Sequence, residues 1–448
     1  MAHDCVDMGK PVFTPPVQRS HLYYRLARIL VWTGVTRYHR VRGTHGFHHF
    51  PEDDAPAIVV SNHQNGMMDP LVSCSFVPRQ IHWLTRADVF WNPIARHIMY
   101  GFNQMPIYRQ RDRVADIRKR NDIIFDVCVE RLRAGAMMGI FPEGNHAPFP
   151  SLRSFKGGLA ALLELAVRRD PQLADIRVMP VGLDYEHYAE YKRQFQVRCG
   201  AAVPFKDLLD EEGQIDKPAF NQRLREALRA VAVDIQPAEA QPLLHPFVRA
   251  MRTTEVAWED WDAIPSTLAS WEQQWMEDGA WKQAFEAAHE AWTKACDTSS
   301  VPGRPEAWGT KAGDVRKPKP WAPWLRPLAW LANLPSMPGT ALVRWWVGRT
   351  VKKQEFVSTM SVGYGMFLIP MTWMLWACIG AAMAPQGMGW VTAALLWAWG
   401  QAGSKFHDWV VAERHHHQDA VDGKAFWTQS QHREAREAWQ QVCASLGI

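Results

Sequence analysis

The sequence predicts an α/β domain, then a Trp-rich helical part and an apolar helical hairpin, on three observations. Between Ala57 and Pro204, short apolar runs alternate with segments of helical period, the pattern of a sheet covered by helices. Of the 23 Trp, only Trp32, Trp83 and Trp91 precede residue 250; the other twenty fall between Trp258 and Trp439, so composition breaks near residue 245. Finally, Phe356 to Ser404 is a run of 49 residues without one Asp, Glu, Lys or Arg.

Arg19 to Phe50 opens the readable part. It holds six Arg (19, 25, 28, 37, 40 and 42) and no acidic residue. Leu22, Leu26, Ile29 and Leu30 recur at helical spacing beside Tyr23 and Trp32, which predicts a basic amphipathic helix at a membrane interface. A helix packed on its own domain has the same period. The runs 57–61, 137–141 and 176–181 read as buried strands, with helices over 115–133 and 157–169 between them and a closing helix over 220–235. Pro180 marks its strand as an edge or a bulge. Residues 255–294 are helical and Trp-rich, and 297–327, with six Pro and several Lys and Arg, read as a linker.

A spanning helix needs about 20 apolar residues. The uncharged run therefore holds two, over 357–383 and 388–404, with a turn at Ala384 to Gly389. Arg344, Arg349, Lys352 and Lys353 precede it and Lys405 and Arg414 follow, which places both ends in the cytoplasm.

With 50 Lys and Arg against 46 Asp and Glu, the net charge of +4 gives no reason to expect a nucleic-acid partner. The seven Cys are scattered with no C-x-x-C pair, so reduced thiols are expected and no structural metal. No basic segment followed by an apolar core opens the chain, so no signal peptide is expected.

Four segments carry chemistry. Ser61-Asn-His63-Gln-Asn-Gly-Met-Met-Asp69 follows the first strand. His63 and Asp69 are about 240° apart on a regular helix, so the segment must turn, and Gly66 permits it. A His with a nearby carboxylate is the arrangement for general-base work, the carboxylate fixing the tautomer. Pro106-Ile-Tyr-Arg109 ends in a guanidinium fork suited to phosphate. Phe141-Pro-Glu143-Gly144 is a loop shaped for a polar ligand, and Lys156 stands where the next helix starts, before Gly157 and Gly158. The fourth segment is Val178-Met-Pro180-Val-Gly-Leu-Asp-Tyr185. His415 to His417 read as a solvated cluster.

In order and spacing, these segments resemble the glycerolipid acyltransferase family over roughly residues 20–236, with Leu84 to Asp88 resembling the segment between its first two motifs. The C-terminal hairpin is similar to that of a bacterial branch. The resemblance implies that His63 deprotonates an acceptor hydroxyl, Asp69 orients His63, and Arg109 binds the acceptor's phosphate. Glu143, Gly144 and Lys156 would shape and complement that pocket, and Pro180 would line the acyl chain. Five residues separate His63 from Asp69 where the commoner family motif has four, and Asn145 stands where Thr or Ser is usual.

The resemblance implies an α/β fold of the glycerol-3-phosphate acyltransferase type. The expected divisions are 1–50 interfacial, 51–240 catalytic, 241–296 Trp-rich, 297–327 linker, 328–355 interfacial, 356–404 transmembrane hairpin and 405–448 cytosolic tail. The expected partners are the bilayer, an acyl-CoA or acyl carrier protein thioester as co-substrate, and glycerol-3-phosphate or dihydroxyacetone phosphate as acceptor, with no cofactor. Lysophosphatidate is the alternative acceptor, and a non-catalytic membrane scaffold the alternative of another class. A hydrolase would need a nucleophile, and no G-x-S-x-G occurs.

Overall fold

The computed structural model describes residues 22–51, 54–112, 114–252 and 263–448. Helix α1 (Leu22–Tyr38) leads into β1 (Arg40–His45), β2 (Ala57–Ser61), α2 (Met68–Phe76), β3 (Ile81–Arg86) and α3 (Pro93–Gly101). There follow β4 (Met105–Ile107), α4 (Ile117–Arg133), β5 (Met137–Ile140), α5 (Gly158–Arg169), β6 (Arg177–Tyr185), β7 (Gln194–Cys199) and α6 (Lys217–Arg229). The strands form one seven-stranded sheet in the order β1-β7-β6-β2-β5-β3-β4. Every neighbouring pair is parallel except β6 and β7. The carboxyl ends of β2, β3, β4, β5 and β6 therefore share one edge of the sheet, where open α/β sheets bind ligands.

Burial on both faces explains the continuous apolar runs. All five residues of β2 are buried. Ile58, Val60, Met138 and Val178 face a core closed by α4, α5 and α6. Val59, Met137, Met179 and Val181 face the other core, with Val35 of α1 and Met68 and Val72 of α2.

Three expectations change here. The sheet begins inside the 1–50 division, because β1 pairs with β7. Pro180 marks neither an edge nor a bulge: β6 lies between β2 and β7, and its ladder to β7 begins only at Val181. The absent N–H therefore falls just beyond that ladder, where the Pro180 carbonyl accepts from Gly200 N. The closing helix ends at Arg229, and Val233 and Ile235 already belong to a second core.

That core is built by the Trp-rich part. Its elements are α7 (Gln241–Met251), α8 (Ala263–Glu277), α9 (Gly279–Ser299), a single turn at Pro305–Trp308, α10 (Arg326–Ala332) and α11 (Met337–Thr350). They are followed by α12 (Val357–Met383), α13 (Gly389–Thr428) and α14 (Arg433–Ser445). Residues 253–262, within the expected Trp-rich helix, lie outside the described residues. Trp271, Trp275, Trp292, Trp308 and Trp439 are buried with Phe247, Phe285 and Phe426. Phe247 stacks on Trp439 at 4.6 Å and Trp308 on Phe426 at 4.5 Å. Buried indole N–H groups find carbonyls: Trp271 donates to Leu446 O and Trp439 to Gly309 O.

Residues 297–327 are therefore not a free linker, since Glu306, Ala307 and Trp308 are buried within them. Nor is 405–448 a tail. Helix α13 runs unbroken past residue 404, and both it and α14 supply side chains to this core.

A second set of tryptophans is exposed: Trp324, Trp330, Trp345 and Trp346 on or beside α10 and α11, and Trp376 and Trp390 around the turn joining α12 to α13. The helical stretch Gln354–Met383, which includes α12, is long and apolar enough to cross a membrane. Helix α13 passes from this apolar region to the α/β domain, where its acids meet basic side chains. Asp408 pairs with Arg37 at 3.2 Å, Asp419 with Arg193 at 2.7 Å, and Glu413 with Arg40 at 3.8 Å.

Candidate active site

His63 leaves the carboxyl end of β2, and the chain turns back so that Asp69 enters the first turn of α2. His63 Nδ1 lies 2.9 Å from Asp69 Oδ2. The same oxygen accepts the backbone N–H of Gln64 and of Asn65, each at 2.8 Å, and Oδ1 accepts the Tyr185 hydroxyl at 2.8 Å. Asp69 is fully buried, and these four donors hold it as an acceptor. Nδ1 of His63 must then carry the proton, which leaves Nε2 as the acceptor nitrogen. The turn with five intervening residues thus closes with good geometry. Gly66 serves it by close approach: a Cβ there would come within 2.6 Å of the Phe356 ring.

The imidazole is held on its faces as well. It stacks on Phe141 at 3.9 Å, and Phe141 stacks on Trp83 at 4.9 Å. His146 meets it edge-on at 5.4 Å. Burial and the nearby His63 lower the His146 pKa, so His146 adds no positive charge at neutral pH.

Glu143 does not point into open space. Its Oε1 accepts the His63 backbone N–H at 3.0 Å, and its Oε2 takes the Arg153 Nε at 2.5 Å. Arg153 also donates to the carbonyls of His63 and Asn145. One carboxylate therefore ties the loop after β5 to the loop after β2. Burial pushes Glu143 above the ordinary carboxylate range, against the pull of Arg153. Gly144 has φ +72, the left-handed region that favours glycine, and a Cβ there would lie 3.0 Å from the Lys156 side chain.

Helix α12 completes the wall. Ser358 Oγ accepts from Asn65 Nδ2 at 2.9 Å, and Glu355 lies 3.2 Å from His146 Nε2. The His63 loop therefore touches the first turn of the most apolar helix.

A model of the acyltransferase family matches residues 40–184, a span that contains both ends of this His–Asp pair and the Glu143 loop. Over that span the chain is similar to the acyltransferase family. Over 168 residues it is 26% identical to the chloroplastic 1-acyl-sn-glycerol-3-phosphate acyltransferase LPAT1 of Arabidopsis thaliana, covering 37% of this chain. The chain spans 44% of that curated relative's length. The 1-acyl-sn-glycerophosphate acyltransferase PlsC of Thermotoga maritima superposes with a TM-score of 0.34 and 16% identity, covering 46% of this chain and 78% of that one.

Within the matched region the other expected site residues are dispersed. Arg109 follows β4, three strands from β2, or about 14 Å at the usual strand spacing. Its guanidinium meets Asp112 at 2.9 Å and Asp88 at 3.8 Å. Lys156 is exposed beyond the Glu143 loop, its backbone N–H on the Pro142 carbonyl. A Cβ on Gly157 or Gly158 would meet nothing within 4 Å, so no close approach accounts for those glycines. Pro180 is buried in register with Val60, below the turn that carries His63. Among the described residues, no cluster of three or more His, Cys, Asp or Glu is placed to share a metal ion.

Sequence reasoning missed Arg153, the role of Tyr185 and the Glu355–Ser358 turn. Tyr185 ends the strand read from Val178 onward, and a buried phenol at a strand end beside a His–Asp loop is a usable signal. Nothing in the sequence ties residue 356 to residue 66.

The Tyr185 phenol stays protonated, because burial and the Asp69 charge push its pKa up. It positions the carboxylate and touches no reacting group. Tyr185→Phe is expected to lower kcat about tenfold with KM changed less than twofold, from the loss of one hydrogen bond to a charged group. Steady-state kinetics of the purified variant checks this, and an unchanged kcat removes the assigned role.

Proposed function

We propose that this protein is a membrane-bound O-acyltransferase. It moves a fatty acyl group from an acyl-CoA or acyl carrier protein thioester to the hydroxyl of glycerol-3-phosphate or dihydroxyacetone phosphate. The observation that carries the reading is the His63–Asp69 pair with Nε2 left as acceptor. Nε2 takes the proton of the acceptor hydroxyl as its oxygen attacks the thioester carbonyl. The carbon–sulfur bond then breaks and the thiolate leaves, protonated by the imidazolium. A thioester already has a good leaving group, so a positioned base and orientation supply most of what the step needs.

In this reading Arg109 and Lys156 present positive charge to the acceptor's phosphate. Glu143 and Gly144 shape the loop, and Pro180 lies on the acyl-chain side. Helix α12 and the first half of α13 form the membrane hairpin, with the exposed tryptophans beside it at the interface and the catalytic domain on the cytoplasmic side. Similarity of the C-terminal hairpin to a bacterial branch supports the water-soluble acceptors. A second reading, lysophosphatidate as acceptor, is favoured by the activity named for the Arabidopsis relative.

The test offers labelled acyl thioester and each of the three acceptors in parallel to detergent-purified protein. Product with glycerol-3-phosphate or dihydroxyacetone phosphate is expected. Product with lysophosphatidate alone would replace the first reading by the second. No product with any acceptor, from either donor, would overturn the activity and leave the scaffold alternative.

A further inference from the structure

At the opposite edge of the sheet from His63 lies a cavity of about 310 Å³, within the size range of small-molecule sites. It opens between α1 and the amino ends of β3 and β5, where Gln80, His82 and Met137 line it. Met137 pairs with Ala57 at the start of β2, and His63 follows that strand's end at Ser61, so the cavity and the His63 loop are separated by the length of β2, about 13 Å. This space is not part of the acyl-transfer site.

Three arginines line it. Arg25 and Arg28 come from α1, one turn apart and so on neighbouring positions, and Arg79 from the approach to β3; Asp54 is the carboxylate among the described lining residues. The two inner guanidiniums are held in place by backbone carbonyls. Arg28 donates to Pro78 O at 3.1 Å, and Arg79 donates to Ala55 O at 2.7 Å and to Gly135 O at 2.5 Å. Fixed planar forks of this kind suit phosphoryl oxygens. Gln80, beside Arg79 in the lining, is about 9% exposed, and its Nε2 and Oε1 have no hydrogen-bond partner among the described residues. A buried amide with neither end paired is rare in a finished interior. Burial and the Arg131 and Arg79 charges lower His82 to about 3, so its ring is neutral in a positive surrounding.

We propose that this cavity is a second, non-catalytic site that binds a phosphoryl group, with Arg28 and Arg79 on its oxygens and the Gln80 amide donating a further hydrogen bond. Two sources supply that chemistry: the headgroup of an anionic phospholipid, or a free phosphate. The lipid source has an anchor beside the cavity. Leu22, Leu26 and Ile29 of α1 are exposed next to Arg25 and Arg28, so an acyl chain would lie along α1 while its headgroup enters.

The test uses the full-length protein in detergent, titrated calorimetrically with dihexanoyl phosphatidic acid, dihexanoyl phosphatidylcholine and inorganic phosphate. Two variants are compared with the wild type, Arg28→Gln and Gln80→Leu. Arg28 is half-buried on α1, so its variant is the milder test of the fold; acyl transfer by both serves as the folding control, since neither residue touches the His63 loop. Dihexanoyl phosphatidic acid is expected to bind the wild type, with Kd raised at least tenfold in either variant and acyl transfer kept within twofold. Variant-sensitive binding of inorganic phosphate at equal affinity would assign the site to free phosphate. Affinities for both phosphates that are the same in wild type and variants would overturn the site, whatever acceptor the enzyme proves to use.

Discussion

Replacing His63 with alanine is expected to lower kcat by about 10²–10⁴-fold, the range a positioned general base contributes, while the thioester's KM stays within about threefold. The expectation rests on one nitrogen. Nδ1 is committed to Asp69, and the ring faces are occupied by Phe141 and His146, so Nε2 is the part of the imidazole left for substrate. Removing the ring leaves the Glu143 tie to the His63 backbone in place, because that bond uses the main-chain N–H. The loop should therefore persist, and circular dichroism melting within a few degrees of wild type would confirm that activity was lost without the fold. Partial recovery of turnover by added imidazole would identify the missing group as a base. A variant retaining a third of wild-type kcat would remove His63 from the mechanism.

Asp69→Asn is expected to cost about 10³–10⁴-fold in kcat, the scale seen when the carboxylate of a catalytic His–Asp pair becomes an amide. Here the loss has two parts. The imidazolium that forms as the hydroxyl is deprotonated loses the negative charge 2.9 Å from Nδ1. The amide must also keep its single oxygen toward three N–H donors while turning its NH₂ toward the Tyr185 oxygen. Exchanging a charged acceptor for a neutral one at these bonds costs on the order of 1.5–3 kcal/mol of stability, so a lower Tm should accompany the lower kcat. If Asp69→Asn kept near-normal turnover with only the Tm reduced, Asp69 would be a structural anchor of the loop and nothing more.

The His–Asp pair and the Glu143 loop were legible because their chemistry is local: a strand end, a turn and residue types that do one thing well. Buried strands such as Ala57–Ser61 were legible because burial on both faces writes an unbroken apolar run. Strand β1 was not, since Arg40, Arg42 and His45 give no apolar alternation at the edge position next to β7. The Pro-rich stretch misled for a related reason. Proline signals the absence of regular structure, and Trp308 and Glu306 are buried without needing any. Arg153 was illegible because its meaning lies in the third dimension: ten residues beyond Glu143, it returns to the same carboxylate. The tryptophans divide by the same logic, since composition reported their excess and only packing sorts those inside the second core from those facing outward.

Helix α13 joins regions usually separated by a hinge. Its 40 residues make a rod about 60 Å long. One end packs beside α12, the middle is clamped to the catalytic domain through Asp408 and Asp419, and the far end sends Phe426 into the second core. A rod fixed at three stations is a lever. Tilting it by 5° about one end carries the other about 5 Å, and no break in the helix absorbs the motion. Phe356, the residue before α12, packs against Gly66, so a tilt of the rod that shifts α12 is carried to the loop that holds His63.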